Sequence, residues 1–156
     1  MKPFVFSLAR VRDYKEQLLD GEKTRLAALR RRREEILQRL RELIEYIAEK
    51  NEELQKLQNE GAYVSEITSL CYIIENAKHQ KEAMEASLEK ATRAVEMQRQ
   101  KVISLSQELS GFDKLKERKL EEHKYLESQE SQQLILEHLT TQIAFGGQGF
   151  AASKPL

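Results

Sequence analysis

The chain has 156 residues, of which 33% are charged, with no tryptophan, two prolines and six glycines. This length allows one domain. A chain so rich in charged residues buries little apolar area per residue, which argues against the compact core and enclosed pocket of an enzyme. Lys and Arg balance Asp and Glu at 26 each, which excludes a general attraction of the whole molecule to nucleic acid or anionic lipid.

The interior of the chain is rich in helix-favouring residues. It also contains no proline, since Pro3 and Pro155 lie near the two ends. The start, MKPFVFSLARVRDYK, has too short an apolar run for a signal peptide. No apolar stretch reaches the ~20 residues that a membrane-spanning helix needs. The single cysteine, Cys71, fits a reducing compartment. We therefore expect an elongated all-α protein in the cytoplasm.

The first predicted helix covers residues 7–59 and carries a heptad repeat of apolar residues. Eight of ten repeat positions after residue 25 are Leu or Ile, the positions being 26, 29, 33, 36, 40, 43, 47, 50, 54 and 57. Upstream, Leu8, Val11 and Leu18 follow the same spacing in a different phase. The sequence therefore predicts a stutter between Leu18 and Leu26.

Four consecutive arginines, Arg30 to Arg33, lie within this first helix. Because successive residues turn by ~100°, the four side chains spread around the helix instead of forming one patch. Arg30 and Arg31 are predicted to pair with the glutamates four residues on. Arg33 falls on the heptad seam and is predicted to reach Glu89 of the second helix. The run is thus interpreted as solvated helix surface with one arginine that sets the register.

Asn59 and Gly61 predict a turn over residues 60–64, and so short a connection makes the following helix antiparallel to the first. The heptad repeat restarts at Ile67 and continues to Phe112. Twelve of its fourteen positions are apolar, the positions being 67, 70, 74, 77, 81, 84, 88, 91, 95, 98, 102, 105, 109 and 112. Two repeats separated by a turn indicate two helices that pack on each other.

The second helix is predicted over residues 64–142 and is longer than the first. The glycine-rich residues 143–156 are predicted to be a disordered tail. The predicted fold is therefore all-α: an antiparallel two-helix coiled-coil hairpin over residues 1–142, with helix 2 longer than helix 1.

Positive charge from both helices converges where the first helix begins, because reflection about the turn places that start beside residues near 113–117. The basic residues there are Arg10, Arg12, Lys15, Lys114, Lys116, Arg118 and Lys119. One interpretation is a binding surface for a partner, which we call the open pole. The other is a solvated surface whose charges are offset by neighbouring glutamates three and four residues away.

Two tyrosines near the predicted turn form a second candidate surface. Tyr72 occupies the outermost heptad position, and Tyr46 lies within ~10 Å of it along the helix axis if the helices reflect about Gly61. Exposed aromatic side chains give large contact area at low entropy cost, so they are candidate binding hot spots. With Leu43 of the seam they form the tip surface. Lone exposed tyrosines without a role are the alternative.

Catalytic and metal-binding patterns are not found in the sequence. The three histidines, His79, His123 and His138, stand apart, with no HExxH or CxxC motif and no Gly-rich phosphate loop. Cys71 has no nearby histidine to activate it. We expect no enzyme activity, no metal and no cofactor.

Three segments resemble the flagellar export protein FliJ family. The opening FVFSLARVRDYKEQLLDGEKTRLAAL has that family's pattern of two aromatics, a leucine and a later Lys-Glu pair. GAYVSEITSLCYII is similar to its turn and restart, and FDKLKERKLEEHKYLESQE to its most recognisable motif. The resemblance covers residues 4–140. It adds three residues to the open pole, namely Phe4, Phe6 and Leu115.

The resemblance implies a stalk component of the bacterial flagellar type III protein export apparatus, and hence a role in flagellum biogenesis, motility and chemotaxis. Members of this family are antiparallel two-helix coiled coils that bind the hexameric export ATPase and connect it to the cytoplasmic domain of the export gate. Some also bind export chaperones. The expected location is the cytoplasm, peripheral to the inner membrane at the flagellar base. The open pole is expected to contact the ATPase ring, and the tip surface the gate or a chaperone.

Three alternatives remain open from the sequence. The chain could be a generic coiled-coil adaptor, including the equivalent stalk of a virulence-type secretion system. It could be a chaperone-like hairpin that holds unfolded exports with its tip. A nucleic-acid-binding arm predicts steep salt dependence of binding, and the charge balance disfavours it.

Overall fold

The computed structural model describes the backbone of residues 1–150 and the side chains of residues 1–146. This part of the chain contains two helices, α1 over Ala9–Glu60 and α2 over Val64–Phe150, and no strand. The two helices run antiparallel, and the second is the longer, with 87 residues against 52. The predicted all-α hairpin is confirmed.

Helix α2 continues to Phe150, although its end was predicted at residue 142. Residues 143–150 are therefore helical where the sequence predicted a disordered tail. No proline precedes Pro155 in this region, and a glycine weakens a helix by about 1 kcal/mol without blocking it. The remaining residues of the predicted tail, 151–156, lie outside the described part of the chain.

The turn between the helices depends on one glycine. Gly61 follows the last residue of α1 and has a φ of 81°, a left-handed conformation that side-chain-bearing residues rarely adopt. Two residues later, the carbonyl oxygen of Tyr63 accepts hydrogen bonds from the backbone N–H groups of Glu66 and Ile67, at 3.0 and 3.3 Å. These bonds start α2 at once, so the turn is limited to three residues.

The chain divides into two compact units, which are described separately. The inner unit is Glu16–Ser106, and the terminal unit comprises Met1–Lys15 with Gln107–Leu156.

A seam of mostly apolar residues holds the helices of the inner unit together. Every predicted heptad position from 26 to 57 and from 67 to 105 is buried or half-buried. The most buried apolar side chains of the inner unit are Leu19, Leu26, Leu40, Leu70, Ile74, Ala77 and Val95, each exposed by 7% or less. The spacing of three and four residues therefore predicted the packed face of both helices.

The predicted stutter in α1 is wrong. Val11 and Leu18 are exposed, at 44% and 37%. The buried or half-buried residues from residue 8 to residue 22 are Leu8, just before α1, and Arg12, Lys15, Leu19 and Glu22 within it. They lead to Leu26 in alternating steps of four and three, so the heptad is regular. Arg12, Lys15 and Glu22 are the polar residues among these five. Each of the three side chains has a partner on α2, as described below.

Candidate functional site

Two cations of the predicted open pole form ion pairs across the terminal unit. Nε of Arg12 lies 2.7 Å from Oδ1 of Asp113, and Nζ of Lys15 lies 2.9 Å from Oε2 of Glu108. The hydrogen bond from Arg12 is the main reason that the pKa of Asp113 is lowered below its ordinary value. Both cations occupy seam positions, and their charges are compensated there.

The aromatic residues of the open pole pack against α2. Phe6 is exposed by only 8%. The ring of Phe4 meets the ring of His123 edge to face, with 5.6 Å between the ring centroids. Nε2 of His123 lies 3.0 Å from the carbonyl oxygen of Lys2, to which it donates. The segment before α1 therefore folds onto α2, so Phe4 and Phe6 have a packing role in the terminal unit.

Four other cations of the open pole remain exposed: Arg10, Lys114, Lys116 and Arg118. We call them the open-pole cations. Within the described part of the chain, none has a carboxylate oxygen within 4.0 Å of its side-chain nitrogens, whereas Lys119 pairs with Glu122 at 2.9 Å. Leu115 is half-buried. The structure thus divides the predicted set into paired, packed and accessible members.

Beyond the open pole, every described side chain of α2 from residue 124 to 146 is exposed. This stretch includes several large apolar residues, among them Leu134, Leu136 and Ile143, which are 62%, 62% and 75% exposed. Single exposed apolar residues are common in proteins. A series of them on one helix is a larger apolar surface whose exposure to water is unfavourable.

The three residues of the tip surface differ in accessibility. Tyr72 is 74% exposed and Tyr46 is 41% exposed, whereas Leu43 is half-buried on the seam. The ammonium of Lys50 lies 5.5 Å from the centroid of the Tyr46 ring, within cation–π range. Lys50 thereby covers part of that ring, so Tyr72 is the more accessible aromatic side chain.

Sequence reasoning missed two exposed apolar side chains at the turn. Tyr63 and Val64 are 80% and 79% exposed, and Ile73 beside Tyr72 is 40% exposed. The signal was present in the stretch GAYVSE, where a tyrosine and a valine replace the polar residues usual in turns. Together with Tyr72, these residues enlarge the apolar part of the tip surface.

No group of three or more His, Cys, Asp or Glu residues is placed to hold a metal ion among the described residues. Cys71 is a free and exposed thiol. Over the same residues, neither helix has a stretch long and apolar enough to cross a membrane.

A protein-family model described as Flagellar FliJ protein matches residues 4–143. Comparison with curated proteins and with solved structures gives no match. The matched range includes both heptad segments, the turn and the whole open pole, and it exceeds half of the chain. The family is a non-catalytic component of the flagellar protein export apparatus. The chain belongs to the FliJ family.

Proposed function

We propose that this chain is the coiled-coil stalk of the flagellar type III export apparatus. In this role it binds the hexameric export ATPase through the open pole and the cytoplasmic domain of the export gate through the tip surface. The observation that carries the proposal is the group of four open-pole cations, which lie exposed without ion pairs within a FliJ-family chain. The expected location is the cytoplasm, at the inner membrane below the flagellum.

The open-pole cations suit a contact with a moving ring. Exposed Lys and Arg side chains attract acidic surface over about a Debye length and make contacts that exchange readily with water. Such contacts steer association and allow a stalk to pass from one ring subunit to the next. Arg12 and Lys15 contribute indirectly, since their ion pairs with Asp113 and Glu108 hold α1 against α2 beneath these cations.

The tip surface suits a more apolar contact. Tyr63, Val64 and Tyr72 are each at least 74% exposed, and exposed aromatic side chains next to aliphatic ones are typical of binding hot spots. A gate domain or an export chaperone with an apolar cleft would cover them. Because this surface belongs to the inner unit and the open pole to the terminal unit, substitutions can affect the two contacts separately.

The test is stimulation of a purified export ATPase by the full chain. The variant carries Lys114→Glu, Lys116→Glu and Arg118→Glu, and we expect its stimulation to fall about tenfold or more, because like charges then face the ring. The matched control carries Lys56→Glu, Lys78→Glu and Lys101→Glu, three exposed lysines of the inner unit. Circular dichroism checks the fold of both variants.

The outcomes separate the stalk from its alternatives. A wild-type chain that binds the ATPase without stimulating it is an adaptor. Capture of unfolded export substrates without ATPase binding indicates a chaperone-like hairpin. Equal stimulation by the wild type and the open-pole variant would show that the ring contact lies elsewhere.

A further inference from the structure

The middle of α1 carries an excess of positive charge that the chain itself does not neutralise. Between residues 23 and 41 there are eight Lys and Arg residues and two glutamates. The ion pairs predicted for Arg30 and Arg31 with Glu34 and Glu35 are not formed. None of the eight cations has a carboxylate oxygen within 4.0 Å among the residues whose side chains are described.

The facing part of α2 does not supply the missing partners, because its acidic residues pair along their own helix. Glu89 accepts from Arg93 at 2.5 Å, Glu85 lies 3.8 Å from Lys81, and Glu96 lies 3.4 Å from Arg99. The predicted contact between Arg33 and Glu89 is therefore wrong. Residues three or four apart are neighbours on the surface of one helix, which is the spacing of all three of these pairs.

A groove opens beside this basic segment, within the inner unit. Its volume is about 490 Å³, and it continues into a second depression of about 310 Å³. Ile36 and Met84 form the apolar floor of the groove. Ser87, Ala91 and Ala94 on α2 leave space because their side chains are small. Small side chains of both helices therefore leave room for the groove: Ala28 on α1 and Ser87, Ala91 and Ala94 on α2.

Four cations surround the groove: Arg31, Arg32 and Arg39 from α1 and Lys90 from α2. Glu35 is the single acidic residue that lines it. None of these four cations forms an ion pair within the described residues. We call this surface, with its cationic rim and its apolar floor of Ile36 and Met84, the arginine groove.

We propose that the arginine groove binds an acidic amphipathic segment of a partner protein, at a surface distinct from the open pole and the tip surface. Charge complementarity defines the occupant: four cations against one carboxylate call for a segment with several Asp or Glu residues. Arginine is suited to this role because its planar guanidinium binds a carboxylate through two parallel hydrogen bonds. The apolar floor requires Leu-like side chains on the same segment.

The floor also favours a protein segment over nucleic acid. A phosphodiester backbone has no apolar side chain to cover Ile36 and Met84, and the groove contains no aromatic side chain on which a base could stack. An amphipathic helix laid in a groove satisfies both features, with its apolar face on the floor and its acidic residues against the rim.

The test uses the full chain and a labelled synthetic peptide of about three heptads, with Leu on one face and Glu on the others. Fluorescence anisotropy measures its binding. The groove variant carries Arg32→Glu, Arg39→Glu and Lys90→Glu. The control carries Lys23→Glu, Arg30→Glu and Arg41→Glu, which change the net charge equally at residues that do not line the groove.

We expect the groove variant to bind the peptide at least tenfold more weakly than the wild type, equivalent to about 1.4 kcal/mol. The control variant should lose less than about threefold. A peptide of the same composition with its leucines scattered should bind weakly to every form. A variant with Gln at the same three positions should lose peptide affinity to a smaller degree. It provides the test if the charge-reversed variant does not fold.

Three outcomes would overturn the proposal. The first is an equal loss of peptide affinity in the groove and control variants, which would show that binding depends on net charge and not on the groove. The second is binding of duplex DNA that depends on the groove and displaces the peptide, which would make nucleic acid the ligand. The third is no measurable binding of the amphipathic peptide to the wild type.

Discussion

The side-chain amide of Gln98 donates a hydrogen bond to the backbone carbonyl oxygen of Glu22 at 3.1 Å, and it also contacts the carboxylate of that residue. Gln98 is 3% exposed and is the buried polar residue of the seam. A polar pair buried between apolar layers satisfies its hydrogen bonds at one alignment of the helices, so it favours that register over a shift by a heptad.

Replacing Gln98 by Glu should destabilise the hairpin strongly at neutral pH. The new carboxylate would be buried beside Glu22, which costs about 2–3 kcal/mol. Burial and the like charge of Glu22 raise the pKa of the new carboxyl group in the folded state. The destabilisation is therefore complete above that raised pKa, and it becomes smaller as the pH falls below it. Thermal melts at pH 7 and pH 5, each compared with the wild type, measure the effect. Gln107→Glu, at an exposed position, is the control and should change little at either pH.

The ion pair between Arg12 and Asp113 should give the terminal unit a measurable pH dependence. The pKa of Asp113 is lowered from its ordinary value of 3.8, chiefly by the hydrogen bond from Arg12. A lowered carboxyl pKa contributes stability that is present above the ordinary value and is lost as pH falls through the lowered one. A double-mutant cycle with Arg12→Gln and Asp113→Asn should therefore show coupling at pH 7 that disappears in strong acid. Coupling that does not weaken as the solution is acidified would contradict the assignment.

Replacing Tyr72 by Ala should separate binding from folding. Its side chain is 74% exposed, so the melting temperature should stay the same, while capture by the gate's cytoplasmic domain should weaken about tenfold or more. Tyr125, which is 64% exposed in the terminal unit, provides the matched control. A pull-down unchanged by Tyr72→Ala would exclude this ring from the contact, and equal losses at both tyrosines would exclude a localised tip surface.

The paired face of both helices could be predicted from the sequence, since burial recurs with the period of the apolar residues. The prediction failed upstream of Leu26 for a physical reason. Arg12, Lys15 and Glu22 occupy seam positions there, and hydropathy gives no signal for a polar residue that is buried beside its partner. Val11 and Leu18 suggested another phase because they are apolar, although they face the solvent.

The candidate sites were only partly predictable. The sequence placed basic residues of both helices together, but it did not show which charges are compensated, because ion pairs such as Lys15 with Glu108 depend on the register. Phe6 was expected at a partner contact, and it packs within the chain because the segment before α1 folds onto α2. Such a fold-back has no periodic signature. Similarly, the arginine groove depends on which small side chains the register brings together, such as Ala28 of α1 and Ser87 of α2.

The left-handed conformation of Gly61 fixes where the chain reverses, and therefore which residue of α1 faces which residue of α2. One extra residue in either arm would rotate all later side chains by ~100° relative to the opposite helix. Whole heptads added to both arms at matching distances from the turn preserve the seam, whereas insertions of three or four residues overwind or unwind the coiled coil locally. Changes in length therefore have to be paired, and sequence comparisons within the family should show insertions in α1 accompanied by equal insertions in α2.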